Sequence, residues 1–222
     1  MNYNFLWLPV FNALPELARA ALVTLEVSVV SMVIGLGLGL LLCFARRSDR
    51  RLARWPASVW VEVARNTPVL FQIFVFYWGL GEFGLFLSSY VAVVSALAFN
   101  TAGYMAETFR GGFAAVPETQ LKAARSLGMS FIQANARIVV PQVIRAVWYP
   151  MTNQFVWVIL MSSLGMLAGL RELSGETQYF NSRTFRTFEF FFAAAVIYYL
   201  IAKLVMLGAR IIGWRLFRGQ PL

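Results

Sequence analysis

Histidine is absent from this sequence, cysteine occurs once, and charged residues make up only 13% of the 222 positions. Without histidine, the chain has no imidazole general base, proton relay or metal ligand. Cys43 has no second cysteine in the chain with which to form a disulfide. No convincing nucleophile–base pair is found either, so we expect no catalytic residue, no metal site and no cofactor bound by this chain.

Hydrophobic residues make up 59% of the chain, and its mean hydropathy is +0.67. A soluble domain usually carries roughly 25% charged residues. A bilayer core about 30 Å thick needs about 20 apolar residues per helix, and several stretches meet that requirement. The sequence therefore predicts an all-α integral membrane protein with about five transmembrane helices in a single domain, 1–222.

The predicted spans lie at about 20–44, 57–80, 89–109, 150–170 and 190–212. In the first span, Gly35 and Gly39 have a small-residue spacing that permits close contact with another helix. In the second span, Pro68 lacks an N–H group and disfavours helical geometry at Thr67, so we expect the helix to be broken there. The polar segment 171–189 is predicted to be a loop.

The distribution of positive charge predicts the orientation in the membrane. Of the 19 lysines and arginines, 15 lie in the segments 46–65, 110–145 and 203–218. Since cytoplasmic loops carry the excess of such residues, we expect the N-terminus outside and the C-terminus in the cytoplasm. The same short clusters account for the pI near 10.3, so we do not expect nucleic-acid binding.

The cytoplasmic segment 117–141 has clear signals for a short helix. Pro117 can open a helix, and Glu118 suits the positive end of the helix dipole. Gly128 can end the helix in left-handed geometry. Ser130-Phe131-Ile132-Gln133 then forms a capping box, which predicts a second short helix.

One side of the first short helix is predicted to carry Leu121, Ala124 and Leu127, with Ala123 beside them. Its alanines present little bulk, so the helix could occupy a groove on another protein. It could equally be an interfacial helix that rests on lipid. Periodicity alone leaves both alternatives open.

The spacing in this segment resembles the coupling motif of ABC importer permeases. That motif reads Glu-Ala-Ala, three residues, Gly, nine residues, Ile-x-Leu-Pro, and this chain has Lys122-Ala123-Ala124, Gly128, Ile138 and Val140-Pro141. Lys122 stands where glutamate is usual and Val140 where leucine is usual. The lysine reverses one charge on the docking helix but leaves its shape.

The rest of the chain resembles the polar amino acid subfamily of these permeases (the histidine, glutamate and glutamine type). The matching segments are Thr24-Leu25, Arg65-Asn66-Thr67-Pro68-Val69-Leu70-x-Gln72, Tyr104-x-Ala106-Glu107-x-x-Arg110-Gly111-Gly112, Pro141-Gln142, Asn153, Glu172-Leu173 and Ser182-Arg183-Thr184-Phe185-Arg186-x-Phe188-Glu189. Together they span nearly the whole chain.

The resemblance implies a permease like those of type I ABC importers, in the bacterial cytoplasmic (inner) membrane. A pair of permeases encloses the path, a cytoplasmic ATPase dimer holds the coupling helices, and a soluble periplasmic or extracellular binding protein delivers an amino acid. ATP and Mg²⁺ belong to the ATPase, because neither lysine of this chain lies in a Gly-x-x-x-x-Gly-Lys-Ser/Thr loop. The implied ATPase-coupling residues are Leu121, Lys122, Ala123, Ala124, Leu127, Gly128, Ile138 and Pro141.

Polar side chains inside a membrane are costly, so each is by default a functional hypothesis. The candidates for the substrate path are Thr67, Gln72, Asn100, Thr101, Tyr104, Glu107, Asn153, Gln154, Ser162 and Ser163. Serine and threonine can instead bond to the backbone or to a neighbouring helix. Glu107 can pair with Arg110, so an ion pair and a gating role both stay open for it. Glu26 could pair with a neighbouring helix.

The fourth span departs from the subfamily. Relatives often read Lys-Asp-Thr-Ser-Leu where this chain has Leu160-Met161-Ser162-Ser163-Leu164, so the charged pair is missing. We expect a second, non-identical permease to supply those charges, although a second copy of this chain is the alternative. A passive channel or ion-coupled carrier of small polar solutes is the alternative function, and it would need gating or proton-handling groups that are scarce here.

Overall fold

The structure, a computed structural model, describes residues 3–217, and within that range it contains helices and no strand. The helices are α1 Leu8–Arg46, α2 Arg51–Asn66, α3 Val69–Tyr77, α4 Ser89–Ala114, α5 Glu118–Ser126, α6 Phe131–Ala134, α7 Val140–Met161, α8 Leu173–Thr184 and α9 Thr187–Leu216. Short 3₁₀ helices cover Gly79–Phe83 and Ser162–Ala168, and a π-helical turn covers Asn135–Val139. The predicted all-α class is confirmed.

Three helical stretches among the described residues are long and apolar enough to cross a membrane by length and composition. They are Leu8–Arg46, Phe131–Ala168 and Thr187–Leu216. Helix α4 has 26 residues, about 39 Å at 1.5 Å per residue, but carries several polar side chains. The predicted count of five crossings stays a prediction.

The predicted break in the second span is confirmed. Thr67 and Pro68 are both extended, with φ/ψ of −116°/142° and −62°/137°, and they separate α2 from α3. Pro68 causes the break as expected, because it has no N–H group to donate and disfavours helical geometry at Thr67.

One expectation about the helices is confirmed and another was wrong. The short helix predicted after Ser130 is present as α6, and it continues through the π-helical turn into α7. Pro141 follows this wider turn at the second position of α7 and does not interrupt the continuous helix. The segment 171–189 is not a loop but contains α8, which begins where the Glu172 carboxylate accepts the N–H groups of Ser174 and Gly175.

The bundle is centred on α1 and α4, which share its most extensive interface. Gly35 and Gly39 make this close approach possible: a Cβ on Gly39 would lie 2.6 Å from the Cβ of Met105. At Gly37, on the other side of α1, no neighbouring atom of the described residues would lie within 4 Å of an added Cβ. The contact predicted from the Gly35-x-x-x-Gly39 spacing is therefore confirmed.

The two ends of the bundle have different cores. At one end, which we name the coupling end, Val139, Val143 and Val147 pack with Phe109, Phe113, Val116 and Leu121. At the opposite end, Val10, Ala13 and Leu17 of α1 pack with Leu173, Phe190 and Ala194. The central core between them includes Val27, Ile73, Val93, Leu97 and Val158.

Candidate coupling segment and substrate path

Helix α5 begins and ends as its sequence predicts. Pro117 is extended at its start, and Gly128 adopts left-handed geometry with φ of +86° at its end. The Gly128 N–H donates to the Arg125 carbonyl at 3.0 Å, and the Met129 N–H donates to the Ala124 carbonyl at 3.2 Å. These bonds satisfy carbonyl groups that the end of a helix leaves without partners.

The predicted capping box is also confirmed. The Ser130 hydroxyl accepts the Gln133 N–H at 3.2 Å, and the Gln133 side-chain oxygen accepts the Ser130 N–H at 2.9 Å. From Asn135 the helix widens, and the Val140 N–H donates to the Asn135 carbonyl, five residues earlier. This wider turn directly precedes Pro141, which has no N–H to donate.

Helix α5 is fixed to the base of α7 by polar and apolar contacts. The Gln142 side-chain amide donates to the Gln120 side-chain oxygen at 2.6 Å and to the Ile138 carbonyl at 2.8 Å. Leu121 packs against the valine cluster of α7, and Ala124 is only 2% exposed. A force on α5 would therefore be transmitted to α7.

The outer surface of this segment carries four exposed apolar residues among polar ones, and we name these four the coupling patch: Ala123, Leu127, Phe131 and Ile132. Leu127 is 85% exposed and Ile132 is 78% exposed. Leu127 was expected on the same side as Leu121 and Ala124, which is wrong. Helix α5 ends at Ser126 and the chain turns at Gly128, so the helical periodicity does not extend to Leu127.

Lys122 points to solvent beside this patch. Its amine lies 3.4 Å from the Glu118 carboxylate, and both side chains are largely exposed. An exposed pair four residues apart on a helix contributes roughly 0.3–0.5 kcal/mol. The charge reversal at this position therefore has little effect on the fold of α5.

The break between α2 and α3 brings three of the candidate path residues together. Because Pro68 has no N–H, the Ala64 carbonyl loses its helical partner. The Gln72 and Asn100 side-chain amides both donate to this carbonyl, at 3.0 and 2.7 Å. The Thr67 hydroxyl donates to the Val63 carbonyl at 2.7 Å, which satisfies a further carbonyl group at the end of α2.

The side-chain oxygens of Gln72 and Asn100 remain available as hydrogen-bond acceptors. A carbonyl only accepts hydrogen bonds, so Gln72 and Asn100 must turn their NH₂ groups toward Ala64. Their side-chain oxygens are buried and have no hydrogen-bond partner among residues 3–217, and the same is true of the Thr101 hydroxyl and the Gln154 amide nitrogen. Buried polar atoms without partners are rare and mark candidate contacts for a ligand.

Glu107 pairs with two arginines, one of which the sequence analysis missed. It contacts the predicted partner, Arg110, at 2.7 Å, and it also forms an ion pair and hydrogen bond with Arg46 at the end of α1. Arg46 lies 61 residues away in the chain, and no sequence pattern connects the two positions. The predicted ion pair of Glu107 with Arg110 is therefore confirmed, and a gating role for Glu107 stays a prediction.

An open cleft of about 450 Å³ lies beside this ion pair, between α4 and α7. Its lining includes Arg65, Tyr104, Glu107 and Pro150. The Arg65 guanidinium lies 5.6 Å from the centre of the Tyr104 ring. The cleft thus presents both signs of charge and an aromatic surface, within the size range of small-molecule sites.

The candidates Ser162, Ser163 and Asn153 belong neither to the polar group at the α2–α3 break nor to the lining of the cleft. The Ser162 hydroxyl donates to the Ile159 carbonyl at 2.8 Å, and the Ser163 hydroxyl donates to the Leu160 carbonyl at 2.7 Å. Both serines thus bond to their own helix backbone, as membrane serines often do. Asn153 is exposed on α7.

At the opposite end, the structure joins two segments that are 148 residues apart in the chain. The buried Glu172 carboxylate accepts hydrogen bonds from the Thr24 hydroxyl at 2.9 Å and the Tyr198 hydroxyl at 2.5 Å. Thr24 also accepts the Leu173 N–H at 3.1 Å. These contacts join α1, α8 and α9. Glu26 has a partner as well, because the Tyr90 hydroxyl donates to it at 2.9 Å.

Residues 32–218 match one protein-family model, described as the binding-protein-dependent transport system inner membrane component. A probable amino-acid ABC transporter permease protein of Bacillus subtilis (strain 168) is 31% identical over 204 residues, which cover 89% of this chain and 90% of that protein. An octopine transport system permease protein of Rhizobium meliloti is 36% identical over 202 residues, with 87% and 82% covered.

The fold also matches solved structures. A crystal structure of an amino acid ABC transporter with histidines aligns with a TM-score of 0.89 at 30% identity. The alignment covers 96% of this chain and all of the other.

Proposed function

The chain belongs to the family of binding-protein-dependent transport system inner membrane components, and we propose that the solute it carries is a polar amino acid. It is the membrane permease subunit of an ABC importer, and ATP hydrolysis belongs to a separate protein. Support for the substrate class comes from the amino-acid permeases among its relatives and from the cleft beside Arg65 and Glu107, which is lined by charged and aromatic side chains.

The coupling patch carries the proposal for the mechanism. An exposed apolar surface at the end of a membrane bundle favours contact with another protein. We propose that a cytoplasmic ATPase binds this patch, and that ATP and Mg²⁺ bind to that ATPase. When the ATPase dimer closes, α5 follows, and the Gln142–Gln120 bond together with Leu121 transmits the motion to α7.

The proposed orientation follows from the same surface. The coupling end faces the cytoplasm, so the N-terminus lies outside, where a soluble binding protein delivers the substrate. This assignment agrees with the excess of lysine and arginine in 46–65 and 110–145.

The proposed path passes the break between α2 and α3. Its polar groups are the free oxygens of Gln72 and Asn100, with Tyr104 and Glu107 nearer the coupling end. Leu160 and Met161 replace the charged pair of many relatives, so we propose that a second, non-identical permease completes the path. Purification of an active assembly in which this chain is the only permease would exclude that partner.

Uptake by reconstituted vesicles tests the function. The chain is reconstituted with its ATPase and binding protein, and labelled amino acid uptake is measured with ATP, with a non-hydrolysable analogue, and without the ATPase. We expect accumulation only with ATP. Equal flux without the ATPase would instead establish a passive channel or ion-coupled carrier.

A further inference from the structure

The start of α2 carries a compact basic and aromatic surface that the proposed transport mechanism does not use. Five arginines occur between positions 46 and 54. Arg51, Arg54, Trp55 and Ser58 then follow the one-face spacing of a helix, with Leu52 beside them. We name Arg51, Leu52, Arg54 and Trp55 the basic turn.

The side chains of the basic turn are exposed and form no ion pair with the rest of residues 3–217. Leu52 is 93% exposed and Trp55 is 71% exposed. Among the described residues, no carboxylate lies within ion-pair distance of Arg51 or Arg54. The helix instead attaches to the bundle through Ala57, Val61 and Ala64, which are buried. The exposed residues are therefore available for a ligand.

The contacts of two neighbouring arginines, Arg46 and Arg47, show where the basic turn lies along the bundle. Arg46 pairs with Glu107, and the Arg47 guanidinium lies 5.3 Å from the centre of the Phe113 ring. Phe113 in turn belongs to the coupling-end core together with Leu121 of α5. The basic turn therefore lies at the same end of the molecule as the coupling patch, on the cytoplasmic side in the proposed orientation.

The basic turn borders an open cavity of about 640 Å³, lined by Arg51, Leu52, Arg54, Trp55, Pro56 and Ser58. One part of this lining is cationic and the other is apolar. An anionic phospholipid has the complementary chemistry: a phosphate for the guanidinium groups and a hydrocarbon chain for the leucine and the indole.

We propose that the basic turn binds an anionic phospholipid of the cytoplasmic leaflet. Arg51 and Arg54 hold the headgroup phosphate, while Leu52 and Trp55 contact the glycerol and the first part of the acyl chains. Tryptophan concentrates at this depth of a membrane, and amphipathic helices with basic faces bind anionic lipid surfaces. The site anchors the α1–α2 connection. Arg46, the last residue of α1, forms the ion pair with Glu107.

Quenching of tryptophan fluorescence by brominated lipids tests the proposal. The full chain is placed in nanodiscs of equal phosphatidylglycerol and phosphatidylcholine, with the bromine on one lipid in one set and on the other lipid in the second set. Because the chain has seven tryptophans, the Trp55 signal is taken as the difference from Trp55→Phe. We expect stronger Trp55 quenching when phosphatidylglycerol carries the bromine.

Matched variants identify the source of any preference. A charge near an anionic surface contributes about 1 kcal/mol, which is roughly fivefold in local lipid ratio per arginine. Arg51→Gln with Arg54→Gln should therefore abolish the preference, whereas Arg51→Lys with Arg54→Lys should retain it. Arg210→Gln with Arg215→Gln, two exposed arginines on α9, is the control and should leave it unchanged.

Three results would overturn the proposal. The first is equal Trp55 quenching by the two lipids in the wild-type chain. The second is a preference that survives neutralisation of Arg51 and Arg54. The third is protection of Trp55 from both lipids in the assembled transporter, because a protein partner would then cover the turn. No readout involves transport, so failure here is distinguishable from failure of the proposed function.

Discussion

A single proline organises the polar residues near the centre of the molecule. Pro68 frees the Ala64 carbonyl, and the Gln72 and Asn100 side chains replace the missing helical bond. Asn100 belongs to α4, so its amide joins the break to the central helix. In a membrane such a bond contributes roughly 0.6–2 kcal/mol, because no water is present to replace it.

We therefore predict that Asn100→Ala lowers the stability of the chain by about 1–2 kcal/mol, since the Ala64 carbonyl loses its shorter bond. The measurement is the thermal unfolding midpoint in detergent. Asn153→Ala, at an exposed position, is the control and should have little effect. Equal effects of the two substitutions would contradict the role given to Asn100.

Close packing of α1 on α4 gives a second prediction at this scale. Gly39→Ala should destabilise the chain by about 1–3 kcal/mol, because the new Cβ would lie 2.6 Å from that of Met105. Gly37→Ala, two residues earlier and with open space around it, should be neutral or slightly stabilising. Thermal unfolding of both variants checks this, and the reverse order would refute the packing described.

Some of these residue contacts were predictable from the sequence, and others were not. The break at Pro68 and the glycine contact follow from local geometry that neighbouring residues specify. The bonds of Glu107 to Arg46 and of Glu172 to Thr24 join residues 61 and 148 positions apart. No local pattern in a single sequence pairs such distant positions, although both glutamates belong to segments that resemble the permease subfamily.

At the scale of elements, α5 and the base of α7 form one unit. Gly128 ends α5 and directs the coupling patch outward, while Gln142 and Leu121 fix the helix from the inner side. The sequence predicted the ends of α5 because capping and left-handed glycine are local signals. It did not predict α8, whose N-terminal cap, Glu172, is positioned by Thr24 and Tyr198 from other helices.

Gly128→Asp should leave membrane insertion intact but uncouple ATP hydrolysis from uptake. Left-handed geometry costs a non-glycine residue roughly 1–2 kcal/mol, and the new carboxylate adds charge beside the coupling patch. The control is Gly84→Asp, since Gly84 has a nearly equal φ of +81° and is equally unobstructed. Membrane amounts, uptake and substrate-stimulated ATPase activity are measured for both. Normal stimulated activity in Gly128→Asp would argue against docking at this turn.

At the scale of the whole molecule, the different residues at the two ends support the proposed orientation. The coupling patch, the basic turn and the Arg46–Glu107 pair share one end. The Glu172 contacts and the N-terminal residues, where Leu6 donates its N–H to Glu189 at 2.9 Å, share the other. The charge bias predicts that the coupling end faces the cytoplasm, and this orientation stays a prediction. The meeting of distant segments at each end could be seen only in the structure.

Cysteine labelling tests the orientation directly. Cys43 is buried and is first replaced by alanine, after which Phe86→Cys or Leu127→Cys is introduced at sites that are each 85% exposed. An impermeant maleimide should label Phe86→Cys in intact cells and Leu127→Cys only after permeabilisation. The opposite pattern would reverse the proposed topology.

The most direct test of coupling is photocrosslinking in an assembly that transports substrate. A benzophenone amino acid is placed at Ala123 or Leu127 of the coupling patch and, as a control, at Phe86 near the opposite end. We predict that both coupling-patch positions capture a nucleotide-hydrolysing subunit and that Phe86 does not. Failure of Ala123 and Leu127 to capture such a subunit in a transporting assembly would contradict the proposed coupling mechanism.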